Sequence, residues 1–170
     1  MVMREAGRIT ALALHAMREA VQPGITTDAL DKIAAEVIRQ HGATAAFLGY
    51  PPGSPHPFPA TATISVNDEL VHGIPRGDRV LQEGDIVSLD CGAVYNGYVG
   101  DSALTVGVGT ISPEAQRLLD VTQTALQIGI DKARAGNLTS DISRAVQAYI
   151  ESQGYSVVRE YTGHGVGRTM

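Results

Sequence analysis

What the chain has little of already narrows its class. It has one cysteine, Cys91, among 170 residues, which excludes an internal disulfide and favours a reducing compartment. No apolar run approaches the roughly 18 residues that a membrane-spanning helix needs. The first residues, MVMREAGRIT, are charged from the start and lack the apolar centre of a signal peptide. We therefore expect a cytoplasmic protein with no membrane association.

Positive charge is also scarce. Thirteen Lys and Arg residues stand against eighteen Asp and Glu, giving a formal net charge of −5, and no basic patch indicates direct nucleic-acid binding. Hydrophobic residues make up 44% of the chain and charged residues 18%, which is typical of a folded globular protein. The length is sufficient for one domain with a substantial core.

Helix signals occur in two pairs. The first pair is predicted over 3–21 and from an N-cap at Asp28 to Gly42. The second pair is predicted over 112–134, where Ser-Pro-Glu provides the start signals, and over about 140–154.

Strand signals lie between and after the helix pairs. The prolines of 51–60 predict a loop. Strands are predicted over 61–66, 85–94 and 98–108, and a further short strand over 155–162.

The two helix pairs resemble each other in sequence. REAGRI at 4–9 matches PEAQRL at 113–118, and PGITTDAL at 23–30 is similar to AGNLTSDI at 135–142. Chance similarity between amphipathic helices is the alternative, but the shared order of elements favours an internal repeat. In that case the second unit lacks about 50 residues of sheet that the first unit has.

Two aspartates are predicted to share one face of a hairpin. The dipeptide Asn96-Gly97 favours a type I′ turn, because both central residues of that turn need positive φ. With this turn at the tip, Asp90 pairs with Ala103, and Asp101 lies on the face of Asp90. The two aspartates are then diagonal neighbours, about 7–8 Å apart at the backbone.

A divalent cation would relieve the repulsion between these carboxylates. Neither Asp90 nor Asp101 has a Lys or Arg nearby in sequence, and the surrounding strand is apolar. The alternative is a pair of solvated carboxylates on an exposed face. Cys91, next to Asp90, should point to the opposite side as an ordinary buried thiol.

A histidine in a glycine-rich stretch strengthens the metal hypothesis. His164 lies in GHGVGR at 163–168, where the glycines would let the backbone approach another group closely. Imidazole together with carboxylates suits Mn, Fe, Co or Zn. A phosphate-binding glycine loop is disfavoured, because no helix follows directly.

Three sequence blocks together resemble type I methionine aminopeptidases. They are LVHGIP at 70–75, SLDCGAVYNGYVGDSA at 88–103 and GHGVGR at 163–168, and the resemblance covers nearly the whole chain. It implies the α+β pita-bread fold, an antiparallel sheet flanked by two helix pairs. It also implies that residues 1–170 form a single, incomplete catalytic domain. The family's last strands, with two glutamate ligands, the general base and a second histidine, would lie beyond Met170.

The resemblance further implies a metal-dependent removal of the N-terminal methionine from peptides and nascent proteins. A complete site would hold two divalent ions, with Co, Mn, Fe and Zn as candidates. By motif match, Asp90 would chelate one metal, Asp101 would bridge both, and His164 would bind the other. The loop 51–60 is longer than in some members of the family, and the start of the chain is shorter.

The resemblance also implies a substrate pocket. His72 would contact the substrate near the scissile amide and is the candidate catalytic residue. Phe47, Tyr50 and Thr63 would line the pocket for the methionine side chain, although Phe47 is equally well explained as a core aromatic.

Two other interpretations remain open at this point. The chain could be a metal-binding or interaction-only pseudoenzyme on the same scaffold, or another pita-bread peptidase that cleaves next to proline. As a methionine aminopeptidase, the chain would act on peptide or nascent-protein N-termini that begin with Met. We expect a partial, weakly active or inactive form that self-associates through an open sheet edge.

Overall fold

The computed structural model describes residues 2–170, which form two compact units. One unit comprises the residues up to 111 together with 165–170, and the other comprises 112–164. The described helices and strands are, in chain order, α1 Val2–Ala20, α2 Thr27–Gln40, β1 Thr44–Ala45, β2 Ala62–Val66, β3 Ile86–Tyr95, β4 Tyr98–Gly107, α3 Pro113–Lys132 and α4 Thr139–Ser152. None of these helices has both the length and the apolarity that a membrane crossing requires.

The start of α2 corrects one sequence prediction. Thr26, not Asp28, is the N-cap, and its hydroxyl accepts a hydrogen bond from the backbone N–H of Ala29 at 3.2 Å. Asp28 lies in the first turn instead and forms a 2.7 Å ion pair with Lys32. A hydroxyl or a carboxylate is favourable at either position, because both can interact with the helix N-terminus. Thr26 is the N-cap because it lies directly before the first helical residue.

Strand β3 is the centre of the sheet. It pairs antiparallel with β1, β2 and β4, and its hairpin with β4 has the predicted register, with Asp90 opposite Ala103. The turn residues Asn96 and Gly97 have φ values of 47° and 76°, as a type I′ turn requires. The predicted hairpin is therefore confirmed.

One face of this sheet carries the core of the first unit. Alternate residues of β3 point into it, so Val87, Leu89 and Cys91 are fully buried. Helices α1 and α2 cover this face with apolar side chains at helical spacing: Ile9, Ala13, Met17, Leu30, Ala34 and Ile38.

A glycine sets the distance between α1 and β4. A Cβ on Gly100 would lie 2.6 Å from the backbone of Ala6 and Gly7, so only glycine permits this approach. The hydroxyl of Thr10 donates to the Gly100 carbonyl at 3.1 Å across the same contact. The first helix therefore lies directly on the strand that carries Asp101.

The second unit consists mainly of two helices packed against each other. Ser112 caps α3 as predicted, accepting from the N–H of Ala115 at 3.1 Å. A Cβ on Gly129 would lie 3.2 Å from Val146 Cγ2, so this glycine allows α3 and α4 to pack closely.

The strand predicted over 155–162 is wrong. These residues are irregular, and no strand among residues 2–170 pairs with them. Side chains hold the segment instead: the Arg117 guanidinium donates to the Gln153 carbonyl at 2.7 Å and lies 5.2 Å from the centre of the Tyr155 ring. A β-branched run does not become a strand without a neighbouring strand to complete its hydrogen bonds.

Candidate functional site

The face of the sheet opposite the core is polar. We call it the polar face and define it by the outward positions of the three long strands, Thr63, Ser65, Ser88, Asp90, Asp101 and Thr105. Thr63 lies directly opposite Asp90 on one side, and Ala103 lies opposite it on the other. Because side chains alternate along a strand, this register places Asp90 and Asp101 on the same face, as the turn predicted.

Both carboxylates occupy partly buried positions on the polar face. As diagonal neighbours they are separated by about 7–8 Å at the backbone. Thr63 beside them is only 6% exposed. Carboxylate oxygens gathered on one partly buried surface are a donor set that suits a divalent cation. The two aspartates therefore fit the metal that the family resemblance implies.

The cysteine next to Asp90 is an ordinary buried thiol. Cys91 is fully buried on the core side, adjacent in sequence to Asp90. Burial raises its pKa, with further contributions from the charges of Asp90 and Asp101, to about 12. The thiol is therefore protonated at neutral pH, which excludes an activated nucleophile at this position and confirms the prediction.

Phe47 lies against the polar face beside Asp101. It is 8% exposed, and its Cε1 atom would be 3.2 Å from a Cβ placed on Gly92, the residue that pairs with Asp101. The N–H of Ala46 donates to the Gly92 carbonyl at 2.9 Å and fixes the chain there. Phe47 is thus both a buried aromatic and a neighbour of the candidate metal positions.

Tyr50 is positioned by the base of the proline-rich loop. Its backbone N–H donates to the Phe47 carbonyl at 2.9 Å, and its carbonyl accepts from Phe58 at 2.7 Å. The side chain is 39% exposed. The segment 51–60 contains no helix or strand, which confirms the predicted loop.

His72 lies in the segment between β2 and β3 and is exposed. It has a φ of 61°, which is uncommon for a residue other than glycine. The next residue, Gly73, exchanges hydrogen bonds with β2: its N–H donates to Ser65 Oγ at 3.0 Å and its carbonyl accepts from Ile64 at 2.9 Å. These bonds place the backbone beside His72 at the outer edge of β2.

His164 is the last residue of the second unit and is exposed. A Cβ on Gly163, Gly165 or Gly167 would meet no atom within 4 Å, and the close approach of this backbone to another group stays a prediction. The residues directly after His164 belong to the first unit, where the Gly167 carbonyl accepts from the N–H of Val99 at 2.8 Å.

The sequence predicts more metal ligands than the structure groups together. Among residues 2–170, no cluster of three or more His, Cys, Asp or Glu side chains is arranged to hold a metal ion. The register brings together Asp90 and Asp101. The assignment of His164 as a third ligand stays a prediction.

One polar contact near the site escaped the sequence analysis. Asp31 of α2 accepts a hydrogen bond from the backbone N–H of Ala62 at 2.8 Å, at the start of the strand that carries Thr63. Burial raises the pKa of Asp31, although the backbone N–H groups of Ala62 and Thr61 act in the opposite direction. The sequence feature that could have indicated this contact is the position of Asp31 next to Leu30, on the edge of the apolar stripe of α2.

Comparison with known proteins shows which family the chain resembles. The chain is 49% identical over 169 residues to methionine aminopeptidase 1 of Bacillus subtilis, covering 99% of this chain and 66% of that protein. It is 48% identical over 168 residues to methionine aminopeptidase of Clostridium acetobutylicum, covering 99% of this chain and 65% of that protein. The chain thus spans about two thirds of the length of these curated relatives.

Solved structures confirm the fold. The crystal structure of methionine aminopeptidase from Thermotoga maritima matches with a TM-score of 0.93 at 38% identity, covering 98% of this chain and 65% of that one. The α+β pita-bread fold expected from the motif blocks is therefore confirmed. A family model described as metallopeptidase family M24 matches residues 2–170, and the chain belongs to that family.

Proposed function

We propose that this chain carries part of the active site of a methionine aminopeptidase, a metal-dependent enzyme that removes the N-terminal methionine from peptides and nascent proteins. The observation that carries the proposal is the placement of Asp90 and Asp101 as diagonal neighbours on one partly buried face. Membership in a metallopeptidase family and the similarity to methionine aminopeptidases support it. The proposed removal of methionine requires a metal, because two carboxylates alone cannot perform this chemistry.

The proposed site holds divalent ions, two when complete, chosen from Co, Mn, Fe and Zn. Asp90 would chelate one ion, Asp101 would bridge both, and His164 would bind the second. Such ions supply Lewis acidity and lower the pKa of water toward neutrality. The chain's own contribution is to fix the carboxylates on adjacent strands, where the hairpin register holds them at a constant spacing.

The proposed substrate is a peptide or nascent protein that begins with Met. Phe47, Tyr50 and Thr63 would line the pocket for the methionine side chain, and His72 would contact the substrate near the scissile amide. Support comes from the position of Phe47 beside Gly92 and of Thr63 opposite Asp90. A buried aromatic ring offers an apolar surface of the kind that a thioether side chain prefers.

We also propose that copies of this chain associate with one another. Among residues 2–170, no strand pairs with the outer edge of β4, where the N–H of Val99 donates to the Gly167 carbonyl. An edge of this length presents backbone groups that can pair with another chain. We therefore include self-association through β4 and restrict activity measurements to size-selected monomer.

Calorimetry tests the metal site directly. Mn or Co added to the monomeric 170-residue chain should bind weakly, and Asp101→Ala should reduce this binding. Ser88→Ala, which removes a hydroxyl from the same face, is the matched control and should leave binding unchanged. Equal binding by wild type and Asp101→Ala would contradict the site.

A peptidase assay with Met-Ala-Ser tests the activity. The monomer should release methionine slowly or not at all, because the resemblance implies a base and two glutamate ligands that these 170 residues do not provide, and a lost base alone costs about 10²–10⁴-fold. Robust turnover that disappears in Asp90→Ala would show that the chain is sufficient. Metal binding combined with no preference for Met-Ala-Ser over Glu-Ala-Ser would favour the pseudoenzyme.

A further inference from the structure

A buried serine holds the segment that carries His72. Ser65 is 3% exposed and lies on the polar face, directly opposite Ser88. Its Oγ accepts the N–H of Gly73 at 3.0 Å, while the Gly73 carbonyl accepts the N–H of Ile64 at 2.9 Å. The peptide units on both sides of Gly73 are therefore bound to β2.

The approach of this segment to β2 is as close as a backbone permits. A Cβ on Gly73 would collide with the backbone of Ile64 and would lie 2.9 Å from Ser65 Cα. Glycine is therefore required for the two hydrogen bonds to form together. Their geometry in turn determines where the residue before Gly73 can lie.

His72 depends on these bonds because its own conformation is unfavourable. Its φ of 61° lies in the left-handed region, which a residue with a Cβ occupies only when its surroundings hold it there. Burial does not supply this restraint, since Val71 is 47% exposed and Ile74 is 54% exposed. Extended or right-handed backbone would be preferred if the segment were released.

The other anchors of the segment are farther from His72. On one side, Glu69 Oε2 accepts the N–H of Val66 at 2.8 Å. On the other, Thr27 Oγ1 accepts the N–H of Arg76 at 2.8 Å. Glu69 lies three residues before His72 and Arg76 lies four residues after it, whereas Gly73 is adjacent to His72.

We propose that Ser65 is a positioning residue for His72. Its hydroxyl holds Gly73, and Gly73 holds His72 in the left-handed conformation beside the polar face. Ser65 lies two residues, about 7 Å, along β2 from Thr63, which is opposite Asp90. The position of the His72 backbone relative to the strand residue opposite Asp90 is thus set from β2. Only the consequence for substrate rests on the proposed function.

Nuclear magnetic resonance of the metal-free 170-residue chain tests the positioning. In Ser65→Ala, the Gly73 amide should exchange with solvent about tenfold faster, because a hydrogen bond of ordinary strength is lost. The imidazole resonances of His72 should shift or broaden. Ser65→Thr keeps a hydroxyl on a strand position and should restore both signals.

Ser88→Ala is the matched control, since it removes the hydroxyl opposite Ser65, which pairs with Thr105 at 2.8 Å and not with Gly73. It should leave Gly73 exchange and the His72 resonances as in wild type. Equal signals in wild type and Ser65→Ala would overturn the proposal, and so would equal changes in Ser65→Ala and Ser88→Ala. If Ser65→Ala does not fold, Ser65→Cys replaces it, because sulfur fills the space but accepts weakly.

A binding measurement separates this proposal from the proposed function. With Mn present, Ser65→Ala should weaken binding of Met-Ala-Ser several-fold and leave Mn affinity unchanged. If wild type binds no Met-Ala-Ser, the proposed function fails, while the resonances of His72 and Gly73 still decide whether Ser65 positions the segment. If the resonances change and peptide binding does not, His72 is positioned by Ser65 but the consequence for substrate is overturned.

Discussion

The two helix pairs carry the same sequence pattern but differ in how far they bury it. In α1 and α2, the apolar residues Met17 and Leu30 are fully buried. The positions that the repeat assigns to them in the second pair are Leu126, which is 60% exposed, and Ile142, which is partly exposed. Helical spacing therefore predicts which face is apolar, and it does not predict what covers that face.

The second pair leaves an apolar groove where the first pair has a filled core. The groove has a volume of about 430 Å³ and is lined by α3 and α4, including Ala125, Gly129, Val146 and Ile150. In the first pair, the equivalent of Ile150 is Ile38, which is 2% exposed against the sheet. Most helix stability in proteins comes from tertiary burial, so the two pairs should contribute very differently to the free energy of unfolding.

The largest expected effect comes from truncating equivalent residues of the two pairs. Met17→Ala should lower the free energy of unfolding by about 2–5 kcal/mol, because it creates a cavity in the core. Leu126→Ala should change it by no more than about 0.5 kcal/mol, as an exposed side chain does. Urea denaturation followed by circular dichroism measures both, and equal losses would remove the distinction between the pairs.

Alkylation of Cys91 checks the same distinction inside the first unit. The thiol is buried and has a pKa raised to about 12, so it should react with iodoacetamide only when the core opens. Met17→Ala should accelerate labelling at pH 8 at least tenfold, since a loss of 1.4 kcal/mol already shifts an opening equilibrium tenfold. Leu126→Ala should label at the wild-type rate; accelerated labelling would mean that the exposed face of α3 also protects this core.

The next effect concerns the glycines at the closest contacts of each unit. Gly100→Ala should destabilise the chain by about 1–3 kcal/mol, because its Cβ would overlap the backbone of α1. The added Cβ of Gly129→Ala meets only side-chain methyl groups, Val146 Cγ2 at 3.2 Å and Ile142 Cγ2 at 3.5 Å, and the substitution gains about 1 kcal/mol of helix propensity. Thermal unfolding should therefore show opposite shifts, and destabilisation by both variants would mean that α3 and α4 are as tightly packed as α1 and β4.

The smallest effect is a pH dependence confined to the first pair. The pKa of Asp31 is raised by burial, so its contribution to stability is fully present below the usual carboxyl pKa of about 3.9 and is lost as the pH rises through the folded-state pKa. Asp31→Asn removes this titration. The difference in unfolding free energy between wild type and Asp31→Asn should fall over that window and then stay constant; a difference that rises with pH would show that the hydrogen bond from Ala62 outweighs desolvation.

Local chemistry made part of this structure predictable. Asn96-Gly97 determined the hairpin, and the hairpin determined which face Asp90 and Asp101 share, because each step depends on neighbouring residues and on strand alternation. Ser112 was identified as a cap for the same reason. The choice of Thr26 over Asp28 was missed, since both are good capping residues and the chain path before the helix decides between them.

Contacts between distant segments were not predictable. Asp31 meets Ala62 only after α2 has packed on the sheet, and Ser65 meets Gly73 only after the segment has folded back along β2. The irregular segment 155–162 has the composition of a strand, but pairing and not composition makes a strand. The family resemblance supplied the predicted role of His72. For His164, which its glycine-rich context had already made a candidate ligand, the resemblance added only which of the two ions it would bind.

The alternation of Asp90 and Cys91 along β3 also guards the hairpin against mispairing. A slip of one residue in register would turn every side chain of the strand to the opposite face. A slip of β3 would carry Asp90, and a slip of β4 would carry Asp101, into the apolar space that Leu89 and Cys91 fill beneath α1. The apolar side chains of the slipped strand would then face solvent. A charge buried among apolar side chains carries one of the largest free-energy penalties in folding. The residues proposed to bind metal thus also make the wrong register unstable, so variants that neutralise both should fold with less uniform strand pairing even where their native structure is unchanged.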